Sequence, residues 1–368
     1  MKEISLCMIV KDEESVISRC LESVKDVVDE IIIVDTGSKD KTKEIARKYT
    51  KKIYDFEWVD DFSKARNYSF SKATKEYIMW LDADDVVSKE NVVKIQQLKS
   101  TSEKPDIYMF KYNCAFDVYG NPTIIQNRER LFRRDKGYKW TSPIHEIIPL
   151  SGNIVSVDIS IDHKKEKIND PNRNIRIFLK MKEDGVEFDL RQEYAYLKEL
   201  FAREYLEDEA INECNFLLEK YIDKYAQNQY YLYKILLELA ECYKKRGNIK
   251  RAKEALMKII INQEPHILVC SRLGDLFFCE KNYDAAIYWL KEAINCKVDK
   301  YIITEYDHYF LPYQELGICY YYKNDFKKAL EYCEKAGELR PYDECYKKNK
   351  KLYLQCLEEK DRKDKKNE

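Results

Sequence analysis

The sequence predicts an α/β domain built on a mixed, mostly parallel sheet, followed by an all-α array of helical repeats. Over the first 165 residues, strand-like apolar runs alternate with amphipathic helical stretches through short connections, the pattern of a parallel sheet covered by helices. Several of those strands end in carboxylates. From about residue 188 the chain turns helical throughout and repeats itself at a step of 34.

Ile4 to Val10 is the first apolar run, and Lys11-Asp12-Glu13-Glu14 follows at its carboxyl end. Val16, Ile17, Cys20, Leu21 and Val24 then recur at helical spacing. Ile31 to Val34 is a second strand ending at Asp35, and Asp40 suits the N-cap of a helix from about 41 to 49. A short third strand spans 52 to 56, a helix 62 to 73, and a fourth strand Tyr77 to Leu81. The run Asp82-Ala83-Asp84-Asp85 emerges from that strand. Right-handed crossovers bring such strand ends to one edge of a sheet, where α/β folds present ligand sites. Alone, the run reads equally well as an acidic turn capping the next helix. Converging carboxylates repel one another unless a cation or hydroxyl-rich ligand joins them, and that convergence points to a site. Carboxylates of this kind suit a hard divalent cation, Mn²⁺ or Mg²⁺.

Further on, a helix spans Glu90 to Leu98, a strand Ile107 to Phe116, and a turn at 119–122 leads into another strand. Val155, Val157, Ile159 and Ile161 alternate in a clean strand, with His163 just past its end. Asp170-Pro171 opens a linker helix, with Asp170 as N-cap, that Gly185 stops.

The 368 residues allow two or three domains, and 45% hydrophobic content supplies real cores. A net charge of −1, from 65 basic and 66 acidic side chains, gives no global support for nucleic-acid binding. No apolar run approaches the roughly 20 residues needed to span a bilayer, and the start reads as a strand rather than a signal peptide. The twelve cysteines are scattered without a Cys-x-x-Cys pair, so free thiols in a reducing cytoplasm are expected, not a metal finger or a disulfide framework.

The segments Cys7 to Glu14, Ile33 to Asp40, Phe62-Ser63-Lys64-Ala65-Arg66-Asn67 and Asp82 to Asp85 resemble, in this order, the family 2 glycosyltransferases with the Rossmann-like GT-A fold. Within that family the chain is similar to bacterial members with a tetratricopeptide tail, the group that includes the sublancin-type peptide S-glycosyltransferases. Asp12 departs from that group, which more often has Asn there. The resemblance implies a nucleotide-sugar donor, most simply UDP-linked, and inversion at the transferred carbon. It implies that Lys11, Glu13 and Asp35 line the nucleotide pocket, that Arg66 approaches the diphosphate, and that Asp82 meets ribose or metal. Asp84 then binds metal directly, with His163 completing the metal sphere. Arg133 and Arg134 are implied as donor contacts, and Glu146 as general base with Asp135 in reserve. A carboxylate can take the proton of an attacking hydroxyl; a thiol acceptor needs less help, being partly ionised near neutral pH.

In the second half, small residues at Ala240, Gly274 and Gly317 are each followed 12 positions later by Ala252, Ala286 and Ala329. The first step is 34, the tetratricopeptide period; the next is 43, so about nine residues are inserted around 298–308. Four helical hairpins are expected over 188–340, after a linker at 166–187, with a capping helix from 342 to 357 and a tail at 360–368 too charged to order itself. Most of the 30 tyrosines lie in this half and read as repeat packing. A repeat array offers a groove for extended peptide, hence an expected peptide or protein acceptor, and a surface for homodimerisation. The competing expectations are an acceptor of cell-surface glycan or lipid-linked sugar, and a repeat scaffold without catalysis.

Overall fold

A computed structural model describes the chain except residues 118–119, 167–169, 204–205, 298–308 and 368, and omits the side chains of 361 and 363–367. The insertion expected at 298–308 therefore lies outside the described residues. Two compact units emerge, Met1–Glu187 and Phe188–Glu368.

The first unit carries eight strands: β1 (Ile4–Val10), β2 (Glu30–Asp35), β3 (Ile53–Asp55), β4 (Tyr77–Trp80), β5 (Asp85–Val86), β6 (Ile107–Phe116), β7 (Pro122–Arg133) and β8 (Ile154–His163). They form one sheet in the order β3-β2-β1-β4-β7-β6-β8-β5. β1 to β4 run parallel to one another, whereas β7 is antiparallel to both β4 and β6. The continuous apolar runs of β1 and β4 follow from this: both strands are central and covered on both faces, so neither alternates. On one face Leu6, Met8, Ile33, Tyr77 and Met79 pack with Ile17 and Leu21; on the other Cys7, Ile32, Ile78 and Trp80 pack with Phe70 and Trp140.

The helices of this unit are α1 (Ile17–Val24), α2 (Thr42–Ala46), α3 (Phe62–Ser71), α4 (Lys89–Ser100) and α5 (Arg173–Glu183). Asp61 caps α3 by accepting from the Lys64 N–H at 3.0 Å, which sets Arg66 on the first full turn. Asp170 falls short of its expected N-cap place. Helix α5 begins three residues later, and the Asp170 carboxylate accepts from the Asn172 N–H instead, closing a turn before the helix.

The second unit holds α6 (Leu190–Phe201), α7 (Glu207–Tyr221), α8 (Tyr225–Lys245), α9 (Ile249–Asn262), α10 (Ile267–Cys279), α11 (Tyr283–Asn295), α12 (Leu311–Tyr322), α13 (Phe326–Leu339) and α14 (Glu344–Asn367). Successive helices pack in pairs from α6/α7 to α12/α13, with α14 against α13. Asn248, Asn282 and Asp325 each accept from the N–H three residues on, at 3.2 Å, so the repeats share an N-cap as well as a core pattern. The small residues act as expected: a Cβ on Gly274 would lie 2.7 Å from Leu290 Cγ, and one on Gly317 3.2 Å from the Ala329 carbonyl oxygen. Gly274→Val should therefore lower the thermal midpoint through an overpacking cost of about 1–3 kcal/mol; an unchanged melting curve by circular dichroism would contradict the close approach of α10 and α11. One expectation fails here. The charged tail expected to stay unordered continues α14, helped by the Arg362–Glu358 pair one turn apart and by the high helix propensity of Lys, Arg and Glu.

Candidate active site

A cleft of about 570 Å³ opens at the carboxyl ends of β1, β2 and β4, within the range of small-molecule sites. Lys11, Asp12 and Glu13 leave β1 along its wall, and Asp82 and Asp84 leave β4. Asp12 sits in left-handed backbone at φ 54°, and its Oδ1 accepts from the Lys39 N–H at 2.6 Å. An Asn can make the same bond and tolerates the same backbone, so this departure from the resembling group preserves the loop.

Arg66 is the hub of the cleft. It is buried, with its Cζ 4.8 Å from the Trp80 ring and 4.9 Å from that of Trp140. Its Nε donates to Glu146 Oε1 at 2.7 Å and its Nη2 to Asp82 Oδ1 at 3.0 Å. Burial works against the guanidinium charge, but the two carboxylates outweigh it and hold the group protonated. Burial likewise opposes ionisation of Asp82, and Arg66 and then Arg130 overcome it, leaving its pKa below the ordinary carboxylate value.

A second cluster lies beside the first. β5 pairs with β8 so that Asp85 faces His163 across the ladder. His163 Nδ1 lies 3.4 Å from Asp84 Oδ1 and 3.4 Å from Asp85 Oδ1. One potential ligand atom from each of these residues falls within 4.8 Å of the others. Burial raises the pKa of Asp84, with His163 opposing and Asp82 and Asp85 adding to it. The hydrogen bond to Asp85 raises that of His163, against burial. A site that resists the charge of its own carboxylate in this way favours an added cation, and the oxygen and imidazole donors suit Mn²⁺ better than Mg²⁺. Asp85 contributes differently from Asp84. Its oxygens already accept from Arg130 Nη1 at 3.0 Å, the Tyr112 hydroxyl at 2.9 Å and the Asp82 N–H at 3.0 Å, so it fixes the turn and the imidazole while Asp84 faces the cleft.

The sequence-predicted residues thus divide. Lys11, Glu13, Arg66, Asp82, Asp84, Glu146 and His163 all line the cleft. Asp82 lies outside the Asp84–Asp85–His163 cluster because Arg66 holds its side chain. Asp35 is buried rather than on the wall: its Oδ1 accepts from the Gly37 and Ser38 N–H groups at 3.0 and 2.9 Å, while Oδ2 has no partner, and Thr36 lines the cleft next to it. Arg133, Arg134 and Asp135 are elsewhere. β7 runs antiparallel to β4, pairing Arg133 with Tyr77 at the amino end of that strand, so these three residues lie at the edge away from the cleft. Arg133 pairs with Asp135 at 2.5 Å and faces solvent with it. None of the three lines the cleft.

The same register brings in a residue that sequence reasoning missed. Arg130, three positions earlier on β7, reaches the carboxyl end of β4 and is fully buried between the rings of Trp80 at 3.8 Å and Tyr112 at 4.2 Å. Its pair with Asp85 is solvent-free. Reading β7 as antiparallel to β4 would have selected Arg130 over Arg133. Trp58, Ile144, Arg173 and Arg176 also line the cleft without a recognisable motif, as does Phe62 at the head of the Phe62–Asn67 segment.

These features define the first unit as a GT-A-like α/β domain and the second as tetratricopeptide-like helical repeats. Residues 5–153 match the sequence model described as glycosyl transferase family 2, and residues 310–343 that of the tetratricopeptide repeat. The glycosyl transferase match thus falls within the first unit and the repeat match within the second. A TPR repeat-containing protein of Synechococcus elongatus is 38% identical over 148 residues, 40% of this chain and 36% of that one. The SPbeta prophage-derived glycosyltransferase SunS of Bacillus subtilis is 34% identical over 150 residues, 38% of this chain and 33% of that one. The chain thus spans about a third of the length of the curated relatives it matches. Among solved structures, that of S. aureus TarS residues 1–349 aligns at a TM-score of 0.35 and 15% identity, over 71% of this chain and 88% of that one. No helix among the described residues is long and apolar enough to cross a membrane.

Proposed function

We propose that this protein is a cytoplasmic, metal-dependent glycosyltransferase that moves a sugar from a UDP-linked donor to a peptide or protein acceptor with inversion at the transferred carbon. The observation that supports it most is the convergence, at one sheet edge, of the Arg66–Asp82–Glu146 network with the Asp84–Asp85–His163 cluster. Asp84 and His163 would hold Mn²⁺ or Mg²⁺, which would neutralise charge on the leaving diphosphate as a Lewis acid. Lys11 and Glu13 on the cleft wall would meet the nucleoside, with buried Asp35 holding the Gly37–Ser38 turn behind them, and Arg66 would meet the diphosphate once ligand binding redistributes its carboxylate partners. The acceptor attacks the anomeric carbon on the face opposite the departing phosphate oxygen. The Glu146 Oε1 is taken by Arg66, and its second oxygen would receive the acceptor proton. The sublancin-group resemblance and the repeat unit favour a peptide over a glycan acceptor.

Incubation with UDP-glucose and Mn²⁺ should release UDP slowly, faster with a cysteine- or serine-bearing peptide that gains one hexose in mass. Absence of UDP release with any common UDP-sugar would leave only the scaffold reading. Glu146→Gln should lower turnover by about 10²–10⁴-fold while UDP still protects the protein from unfolding. Full activity in that variant would remove Glu146 from the base role.

A further inference from the structure

The helical unit carries a cavity of about 210 Å³ between α10, α11 and α12, lined by Asp275, Phe278, Leu290, Glu315 and Ile318, with Gly274 in its wall. Glu315 is the feature that requires an explanation. Its Oε2 is buried and has no hydrogen-bond partner, an arrangement that native proteins rarely leave without a reason. The lysine whose charge acts on it is engaged by another carboxylate: Lys244 pairs with Asp275 at 2.5 Å. Two carboxylates therefore line an otherwise apolar hollow, and Lys244 pairs with only one of them, Asp275. Burial, then Asp275, push Glu315 up to about 7, with Lys244 opposing. The group is thus held ready for a partner that would restore its charge.

We propose that this cavity is a receptor for one basic side chain, lysine or arginine, of a peptide segment docked on the helical unit. The volume lies below the roughly 300–1,000 Å³ of small-molecule sites, which fits a single side chain inserted from a longer ligand. Phe278, Leu290 and Ile318 would cover the methylene stem, and Glu315 with Asp275 would receive the charged head. The inference does not depend on the transferase reading, since it rests on the second unit alone.

Gly274 explains why the hollow exists. A side chain there would meet Leu290 at 2.7 Å and fill the wall between α10 and α11. In the repeat register, Glu238 and Arg272 occupy the places of Glu315 on α8 and α10. Arg272 donates to the Leu237 carbonyl oxygen at 2.8 Å, so the equivalent position one repeat earlier is internally satisfied where Glu315 is not.

The alternative is a structural role, in which Glu315 sits protonated and neutral and binds nothing. The two accounts separate with the full-length chain and four fluorescein-labelled nonapeptides. These share one uncharged sequence except for a central Lys, Arg, norleucine or Glu, and binding is read by anisotropy. The Lys or Arg peptide should bind about tenfold or more tighter than the norleucine and Glu peptides. Glu315→Gln, an isostere of the protonated acid, should abolish that preference while leaving the circular dichroism spectrum unchanged and the thermal midpoint equal or higher. Equal affinity for Lys and norleucine peptides, no binding up to about 1 mM, or an undiminished preference in Glu315→Gln would each overturn the proposal. So would the same loss in Glu219→Gln, which removes an exposed carboxylate on α7 and would report general charge attraction.

Discussion

Replacing Arg130 with Met should unfold the N-terminal unit more readily than any other single change at the site, by about 3–5 kcal/mol. The reason lies in what is left behind. Asp85 is fully buried and its charge is balanced by Arg130 Nη1 at 3.0 Å with no solvent access to either side chain. Met fills much of the space between Trp80 and Tyr112, so the loss reports the uncompensated carboxylate rather than a cavity. Two Arg130 nitrogens, Nε and Nη2, already lack partners, and the guanidinium is held by its ring contacts, by this pair and by a 3.3 Å bond from Nη1 to the Trp80 carbonyl oxygen. The double variant Arg130→Met, Asp85→Asn should recover much of the loss, because the side chain carries no charge: its amide oxygen can keep the bond from the Asp82 N–H while its NH2 donates to the Tyr112 hydroxyl oxygen. Thermal unfolding of the four proteins of that cycle checks it: additive losses would show that the pair does not couple.

Replacing Asp84 with Ala should abolish the metal-dependent part of donor binding while leaving the fold intact. In the parent protein, UDP-sugar plus Mn²⁺ at a hundred times the dissociation constant should stabilise by about 2.7 kcal/mol, raising the midpoint by about 5–10 °C for a unit of this size. Without Mn²⁺ the shift should be small, since Arg66 and Arg130 balance Asp82 and Asp85 but no cation then offsets repulsion between the diphosphate and Asp84. The variant should show the small shift under both conditions. Its own midpoint should equal or exceed that of the parent, because burial already disfavours the Asp84 charge and its removal relieves Asp82 and Asp85 of a like neighbour. A variant that keeps the full Mn²⁺ response would transfer the cation to other residues.

Much of this architecture was legible in the residues themselves. β1, β2, β4 and β8 announce themselves because buried and alternating strands have a composition that no loop shares, and the repeat step of 34 is a covalent regularity that needs no coordinates. The strand-tip carboxylates followed from topology, since parallel strands with right-handed crossovers can end only at one edge. What escaped was set by register. Choosing between Arg130 and Arg133 required knowing that β7 returns antiparallel beside β4, and three residues then separate a buried partner of Asp85 from a solvent-facing arginine at the other edge. β5 is two residues long, too short for any periodicity, and yet it aligns Asp85 with His163. The order of the charged end was misjudged because composition weighs against a packed core, whereas a helix continuing from α14 needs no core to persist.

The pairing of β5 with β8 carries a consequence for how the protein comes into being. Asp85 and His163 are partners 78 positions apart in sequence, and His163 lies beyond residue 153, where the match to the glycosyltransferase family ends. A chain emerging from the ribosome displays its acidic loop long before the imidazole that completes the cluster has been synthesised. On the proposed reading, nascent or proteolysed fragments ending near 153 would keep Asp84 and Asp85 but lack His163, so competence to bind a cation would arise only once β8 pairs with β5.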